Sequence, residues 1–408
     1  MPTKASRRTF LQSCAAASGA ALLPAAAAQA RPQTAPHVAV IGAGAFGGWT
    51  ALHLLRAGAR VTLIDAWGPG HSRASSGGET RVIRATYGKM GIYTHMTARA
   101  LILWREAEKK WNRQVFFPNG VLWMSGKDDS FERDSIPHMK AAGVPFQHLD
   151  AKECAKRWPQ VNFEGVPGAV FEPQSGYLLA RQSCQWVVDS FRAEGGAYVQ
   201  AHASPRTLSG GRLHGIELRP EGAPRVQADS YVFACGPWLG ALLPGFEKKI
   251  VPTRQEKFYF GTPAGDRRFE DSNLPVWADN GAQLYYGIPG NQHRGFKIAD
   301  DTRGAVVDPT TQERQVSAEG VKAARAYIAR RFPAMKDAPL VESRVCQYEN
   351  SPDSNFYLDR LPGAENAWVV GGGSGHGFKH GPALGELAAK VVLGRANTPA
   401  EFRLDRTA

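Results

Sequence analysis

His37-Val-Ala-Val-Ile-Gly-Ala-Gly-Ala-Phe-Gly47, completed by Val61-Thr-Leu-Ile-Asp65, is the stretch on which the fold turns. Residues 37–41 are a short apolar run of the kind that forms a buried parallel strand. The run passes directly into Gly42, Gly44 and Gly47, and Phe46, Leu52, Leu54 and Leu55 then recur at helical spacing until Gly58. A second β-branched run over 61–64 ends on Asp65. Each glycine has its own role at this spacing. Gly42 permits a tight turn, Gly44 lets the backbone approach a pyrophosphate, and Gly47 lets the helix lie close on the strand. Ala45 and Phe46 open the helix, whose free N–H groups and positive dipole end attract phosphate. Asp65 suits ribose hydroxyls and repels a 2′-phosphate, which argues against NADP. The unit by itself leaves NAD and FAD both open.

Two later segments bear on that choice. Residues 229–235 form another buried-strand run ending at Gly236, and Trp368-Val-Val-Gly-Gly-Gly-Ser-Gly-His-Gly-Phe-Lys379 is a strand entering a glycine-rich turn. A helix is predicted from Pro382 to Leu393. An NAD domain has no need of a glycine turn returning so late in the chain, whereas a flavin has carbonyls for its N–H groups. The strands with helices between them imply an α/β class, with a Rossmann-type parallel sheet. Around 255–260, 283–286 and 295–298 the pattern changes to short aromatic β-like segments, and 321–332 has helical spacing before Pro333. These predict an interleaved α+β substrate domain on an antiparallel sheet. Residues 31–85, 160–245 and 342–408 are assigned to the cofactor domain, and 86–159 and 246–341 to the substrate domain.

The chain has 408 residues, 43% of them hydrophobic, with a net charge of +12. That length buries a large core. The basic residues are scattered without a Lys/Arg run, so the charge describes a basic surface and excludes a nucleic-acid groove. Ser6-Arg7-Arg8-Thr9-Phe10-Leu11, an Ala-rich stretch and Ala28-Gln29-Ala30 read as a twin-arginine export signal over residues 1–30. Its removal takes Lys4, Arg7 and Arg8 and no acidic residue, leaving +9. The expected partner is the twin-arginine machinery and the expected location the periplasm, with no stable membrane anchor. Cys154, Cys184, Cys235 and Cys346 remain, without CxxC spacing, so no metal site is predicted.

At five blocks the chain resembles the amine-oxidising flavoproteins of the D-amino-acid oxidase superfamily, in the monomeric sarcosine oxidase and N-methyltryptophan oxidase branch. The blocks are the dinucleotide unit, Glu79-Thr80-Arg81-Val-Ile-Arg84 with Tyr87-Gly88, Tyr285-Tyr286-Gly287 with Lys297, Cys346-Gln-Tyr348 through Asp359, and Ser374-Gly375-His376-Gly377-Phe378-Lys379. The resemblance implies FAD, joined through its 8α-methyl carbon to Cys346. It places Thr80, Arg81 and the turn from Gly375 to Lys379 beside the flavin. Arg84 and Lys379 correspond to the pair that holds a substrate carboxylate, a fork plus a point charge. Lys297 corresponds to the lysine that assists reaction with dioxygen, and Tyr286 and Tyr348 to walls of the substrate pocket.

Two positions depart from the family. Gly77-Gly78-Glu79 replaces a His-Gly-Asp run, and Asp301 stands where the family has histidine. A carboxylate there puts sarcosine itself in doubt and suggests a larger or more cationic N-substituted amino acid. The expected activity is oxidation of a secondary or N-alkylated amino acid to imine, with hydrogen peroxide as second product. The rivals are a flavin dehydrogenase that passes electrons to a non-oxygen acceptor, a D-amino-acid oxidase-like deaminase, and a non-catalytic flavin-bearing protein.

Overall fold

A six-stranded sheet carries the dinucleotide unit, in the order Tyr357–Arg360, Ala367–Gly371, Ser230–Phe233, His37–Ile41, Arg60–Asp65, Ala197–Gln200. All neighbours are parallel except the pair formed by Tyr357–Arg360 and Ala367–Gly371. The computed structural model describes residues 34–206, 208–219 and 225–406, so the export segment at 1–30 lies outside the described residues. His37–Ile41 is central and flanked on both sides, which explains its unbroken apolar run. The helix Ala45–Arg56 follows at once, with Gly42 at φ +103°. A Cβ on Gly47 would lie 1.9 Å from the Gly42 carbonyl oxygen, so only glycine lets this turn and helix close. The predicted C-terminal helix is present as Gly381–Val392 and packs against Ala45–Arg56.

The second sheet has eight strands, ordered Leu340–Asn350, Val251–Phe260, Phe296–Asp300, Leu284–Ile288, Val276–Asn280, Val121–Ser125, Gly168–Glu172, Gln147–Asp150. It is antiparallel except where Val276–Asn280 meets Val121–Ser125 in parallel. That join links strands far apart in sequence, and a parallel join requires such a crossover. A three-stranded sheet, Thr80–Ile83, Gly176–Leu179 and Phe116–Phe117, lies apart from both larger sheets. Segments 160–245 and 342–408 each supply strands to both large sheets, through Gly168–Glu172 and Leu340–Asn350, so the division by sequence segment is not a division by sheet. The helix predicted over 321–332 is present as Ala318–Arg331, with Ser317 accepting from the Gly320 N–H as its cap. All four described cysteines are unpaired.

One buried carboxylate joins the eight-stranded sheet to the segment after Thr80–Ile83. Glu172, at 0% exposure, accepts from the N–H groups of Ala85 and Thr86 at 2.8 and 3.0 Å, and from the hydroxyls of Thr86 and Ser175 at 2.5 Å each. Four donors directed at one carboxylate hold the residues next to Arg84 in a single path. Glu172→Ala strands those donors, and it is expected to lower unfolding stability by at least about 3 kcal/mol. Urea denaturation checks this, and an unchanged midpoint would refute the role given to Glu172.

Candidate active site

The turn after His37–Ile41 forms one wall of a cavity of about 250 Å³, lined also by Asp65 to Gly68, Ser75, Ser76, Gly236 to Trp238, and the returning turn at Gly373, Gly375, Gly377 and Phe378. A Cβ on Gly44 would meet only Ser76 Oγ, at 3.5 Å, so this position is open toward the cavity. The helix Ala45–Arg56 has no acidic residue in its first turn and no side chain at its N-cap Gly44; the Ala45 N–H donates to Ser76 Oγ at 3.2 Å, which leaves the N–H groups beyond it for an anionic group. Asp65 accepts from the N–H groups of Ala43, Trp67 and Gly68 at 2.7–2.9 Å. Its carboxylate thus shapes the loop as well as presenting acceptor capacity to a ribose.

Buried polar atoms of the cavity wall test whether a flavin nucleotide fits. Glu349 Oε2 and His71 Nδ1, on two residues that line the cavity, are buried without hydrogen-bond partners. Burial pushes the Glu349 carboxyl up to about 8, against the Gly373 and Gly372 N–H groups, so near neutral pH it is largely an O–H donor. Unpartnered polar atoms beside a helix N-terminus and a glycine turn suit FAD. Trp67 and Trp238, with ring centroids 5.0 Å apart, add apolar surface at one side.

Arg81, Gly375 and Phe378 also line a second, smaller cavity of about 60 Å³, with Arg84, Trp123, Tyr286, Asp301, His376 and Lys379. The guanidinium carbon of Arg84 lies 4.4 Å from the Tyr87 ring centroid and 4.2 Å from that of Trp123, and the fork donates to the Thr86 carbonyl. Lys379, 4% exposed, donates to the His376 carbonyl at 2.8 Å. Burial and then Arg84 hold its ammonium well below the usual lysine range, opposed by Asp301. The turn that carries Lys379 is itself fixed: Trp104 Nε1 donates to the Lys379 carbonyl at 2.9 Å, and the Tyr87 hydroxyl bonds the rings of His376 and His380 at 3.1 and 2.8 Å. His376 also pairs with the Ser354 carbonyl at 3.0 Å. Tyr348 donates to Asp301 Oδ1 at 2.6 Å, and burial raises the Asp301 carboxyl despite that bond.

Cys346 and Lys297 line neither cavity. Cys346 Sγ is 3.7 Å from Arg81 Nη2. Burial alone would raise this thiol, but Lys257 and Arg81 outweigh it and bring the thiol down to about 7. Arg344, two residues earlier on the strand, is turned instead to Glu342 and to Glu79, 2.9 Å away. Lys297, fully buried, donates to the Thr80 carbonyl at 2.9 Å and lies 5.6 Å from the Tyr286 ring centroid. Burial, then Lys257 and Arg81, hold it well below the usual lysine range. Three groups here were missed in the sequence: Lys257, Glu349 and Glu172. Lys257 left one signal, a lysine in an otherwise aromatic strand end, Lys257-Phe-Tyr-Phe260.

The chain is 30% identical to N-methyl-L-tryptophan oxidase of Salmonella agona (strain SL483) over 376 residues, covering 90% of this chain and 98% of that protein. The same enzyme of Salmonella arizonae matches at 30% over 375 residues, with the same coverage. Solved structures with the same fold include fructosyl peptide oxidase from E. terrenum, at a TM-score of 0.78 and 19% identity over 92% of this chain and 93% of that one. L-proline dehydrogenase from P. horikoshii superposes with a TM-score of 0.76 and 19% identity, over 90% of this chain and 95% of that one. The model of the FAD dependent oxidoreductase family matches residues 37–391. With the glycine turn, the helix that follows it and the returning turn all inside that span, the chain belongs to the FAD-dependent oxidoreductases.

Proposed function

We propose that this protein is an exported oxidase of a secondary or N-alkylated amino acid, with FAD joined to Cys346. The observation that carries the reading is the Arg84 and Lys379 pair in a cavity that shares Arg81, Gly375 and Phe378 with the cofactor cavity. Two cations there hold a carboxylate and so fix the substrate in one orientation. Bound FAD supplies the acceptor for two electrons and a hydrogen from the carbon beside the substrate nitrogen. Asp301 faces the same cavity and offers the amine a negative partner, with Tyr348 fixing its orientation. Its raised carboxyl also suits it to take a proton from a substrate ammonium, since amine oxidation starts from the free amine. The carboxylate favours substrates that carry further positive charge near the nitrogen. The relatives named for N-methyl-L-tryptophan oxidation support the substrate class.

Lys297 is assigned to the reaction with dioxygen. Its ammonium, held by the Thr80 carbonyl, keeps further N–H donors for negative charge that develops on oxygen.

A panel of N-methyl, cyclic and D-amino acids with peroxide detection tests the reading, and no peroxide from any of them would count against it. With the best substrate, Lys379→Met and Arg84→Met are each expected to raise KM about 10–100-fold, the loss of a charge-assisted hydrogen bond. An unchanged KM in both removes the carboxylate site. Lys297→Met is expected to slow reoxidation by air about 100–1000-fold after anaerobic reduction, as for other lost stabilising donors. Slow reoxidation in the parent itself would instead favour the dehydrogenase. Intact mass of the exported protein is expected to show cleavage after Ala30 together with a flavin adduct that survives acid precipitation. Cys346→Ser should release all flavin on acid treatment, and flavin released from the parent would refute the tether.

A further inference from the structure

Lys257 is the buried cation that the reading above leaves without a role. It lies on Val251–Phe260, 1% exposed, with no oxygen acceptor for Nζ among the described residues and the Cys346 thiol as its side-chain neighbour. Its strand is registered against Leu340–Asn350 with Gln255 opposite Cys346 and Lys257 opposite Arg344. Alternation puts Gln255, Lys257, Arg344 and Cys346 on one face, with Lys257 one diagonal step from the thiol. An ammonium without acceptors is costly to bury unless an anion lies near. Arg344 is committed to Glu79 and Glu342, and Asp301 accepts from Tyr348.

We propose that Lys257 is the positioning residue for flavin attachment, the cation that holds the Cys346 sulfur as the anion that bonds the 8α carbon. The proposal rests on the tethered-FAD reading. Sγ forms the bond to that carbon, the carbon gives up one hydrogen as a proton to solvent, and the electron pair enters the ring system. Dioxygen then removes two electrons and leaves as hydrogen peroxide.

The other cations near the thiol are shared with carbonyls. Arg81 donates to the Thr80 and Ser75 carbonyls at 2.7 and 2.5 Å as well as to Cys346 Sγ at 3.7 Å, Lys297 donates to Thr80, and Arg314 to the Pro309 carbonyl at 2.8 Å. Tyr286 also faces the thiol, with its hydroxyl driven above the ordinary range by burial. Lys257 is lowered to about 8 by burial and Arg81, against the pull of Cys346, so it is still largely charged near neutral pH. Burial pushes the Cys154 thiol up to about 11 and the Cys184 thiol up to about 12, and raises Cys235 as well. Among the described cysteines, Cys346 alone is therefore set for thiolate chemistry near neutral pH.

The test uses full-chain protein produced under flavin limitation. Thiolate absorbance titrated against Cys346→Ser as blank reads Cys346 alone, and acid-stable flavin after FAD addition reads bond formation. Lys257→Met preserves length and removes the buried charge, and retention of dissociable FAD monitors its fold. The midpoint is expected to rise by at least about one pH unit and attachment at pH 7 to slow at least about fivefold, in proportion to the lost thiolate. Lys257→Arg is expected to restore both. A tethered parent with an unmoved Lys257→Met midpoint overturns this proposal alone. A parent that releases all its flavin in acid overturns the tether and this proposal with it.

Discussion

The antiparallel ladder between Val251–Phe260 and Leu340–Asn350 is the constraint on which the site's chemistry depends, because it sets which side chains share a face with Cys346. Gln255 stands opposite Cys346, and Tyr259 opposite Lys297 on the other neighbouring strand. Side chains alternate with a period of two, so a slip of one residue between these two strands would turn Lys257 and Cys346 to opposite faces. The register thus gathers Arg81, Lys257 and Lys297 around one thiol inside the protein. Buried cations of this kind persist only where carbonyls, anions or a bound group compensate them. Thr80 and Ser75 carbonyls meet part of that need, and the Cys346 sulfur meets another part.

The two large sheets communicate through short irregular segments. Ser75 donates to the Gln347 carbonyl at 2.7 Å, and Gln347 donates back to the Arg73 carbonyl at 2.7 Å. Ser374 N–H donates to the Glu349 carbonyl at 3.0 Å, which ties the returning glycine turn to the strand that carries Cys346. The smaller cavity shares Arg81, Gly375 and Phe378 with the one along the dinucleotide turn, and its two cations come from different parts of the fold, Arg84 after Thr80–Ile83 and Lys379 before Gly381–Val392. Glu172 and Tyr87 then keep those two cations from drifting apart, one by holding backbone and the other by bonding histidines. The protein's part is orientation and electrostatics, while the electron chemistry belongs to the flavin.

Asp301 gives this member of the family its own character. Placed four residues after Lys297 and bonded by Tyr348, it adds a negative charge to a cavity otherwise governed by Arg84 and Lys379. The position is read by its neighbours as much as by its own identity: burial raises its carboxyl, and three cations pull it back. Glu79, which replaces the family's aspartate, is buried at 6% exposure and gathers Arg344 and Arg294 at 2.9 and 3.0 Å. It thereby draws Arg344 away from the thiol and leaves that role to Lys257.

The sequence by itself determined the dinucleotide unit, the strands that flank it and the helix over 381–392, because each rests on local periodicity and on glycines whose role is visible in isolation. Family resemblance in turn pointed to Arg84, Lys297, Cys346 and Lys379, since those positions sit inside distinctive blocks. Tertiary structure alone decided which of the many lysines and carboxylates carry unusual charge. Lys257 acquires its environment from a strand paired across the sheet, Glu349 from the turn folded over it, and Glu172 from donors on a segment distant in the chain. Desolvation and charge coupling depend on what packs around a group in space, and no spacing along the chain reports that. The opening glycines shape the nucleotide turn, and the register of two distant strands decides which charges gather at Cys346.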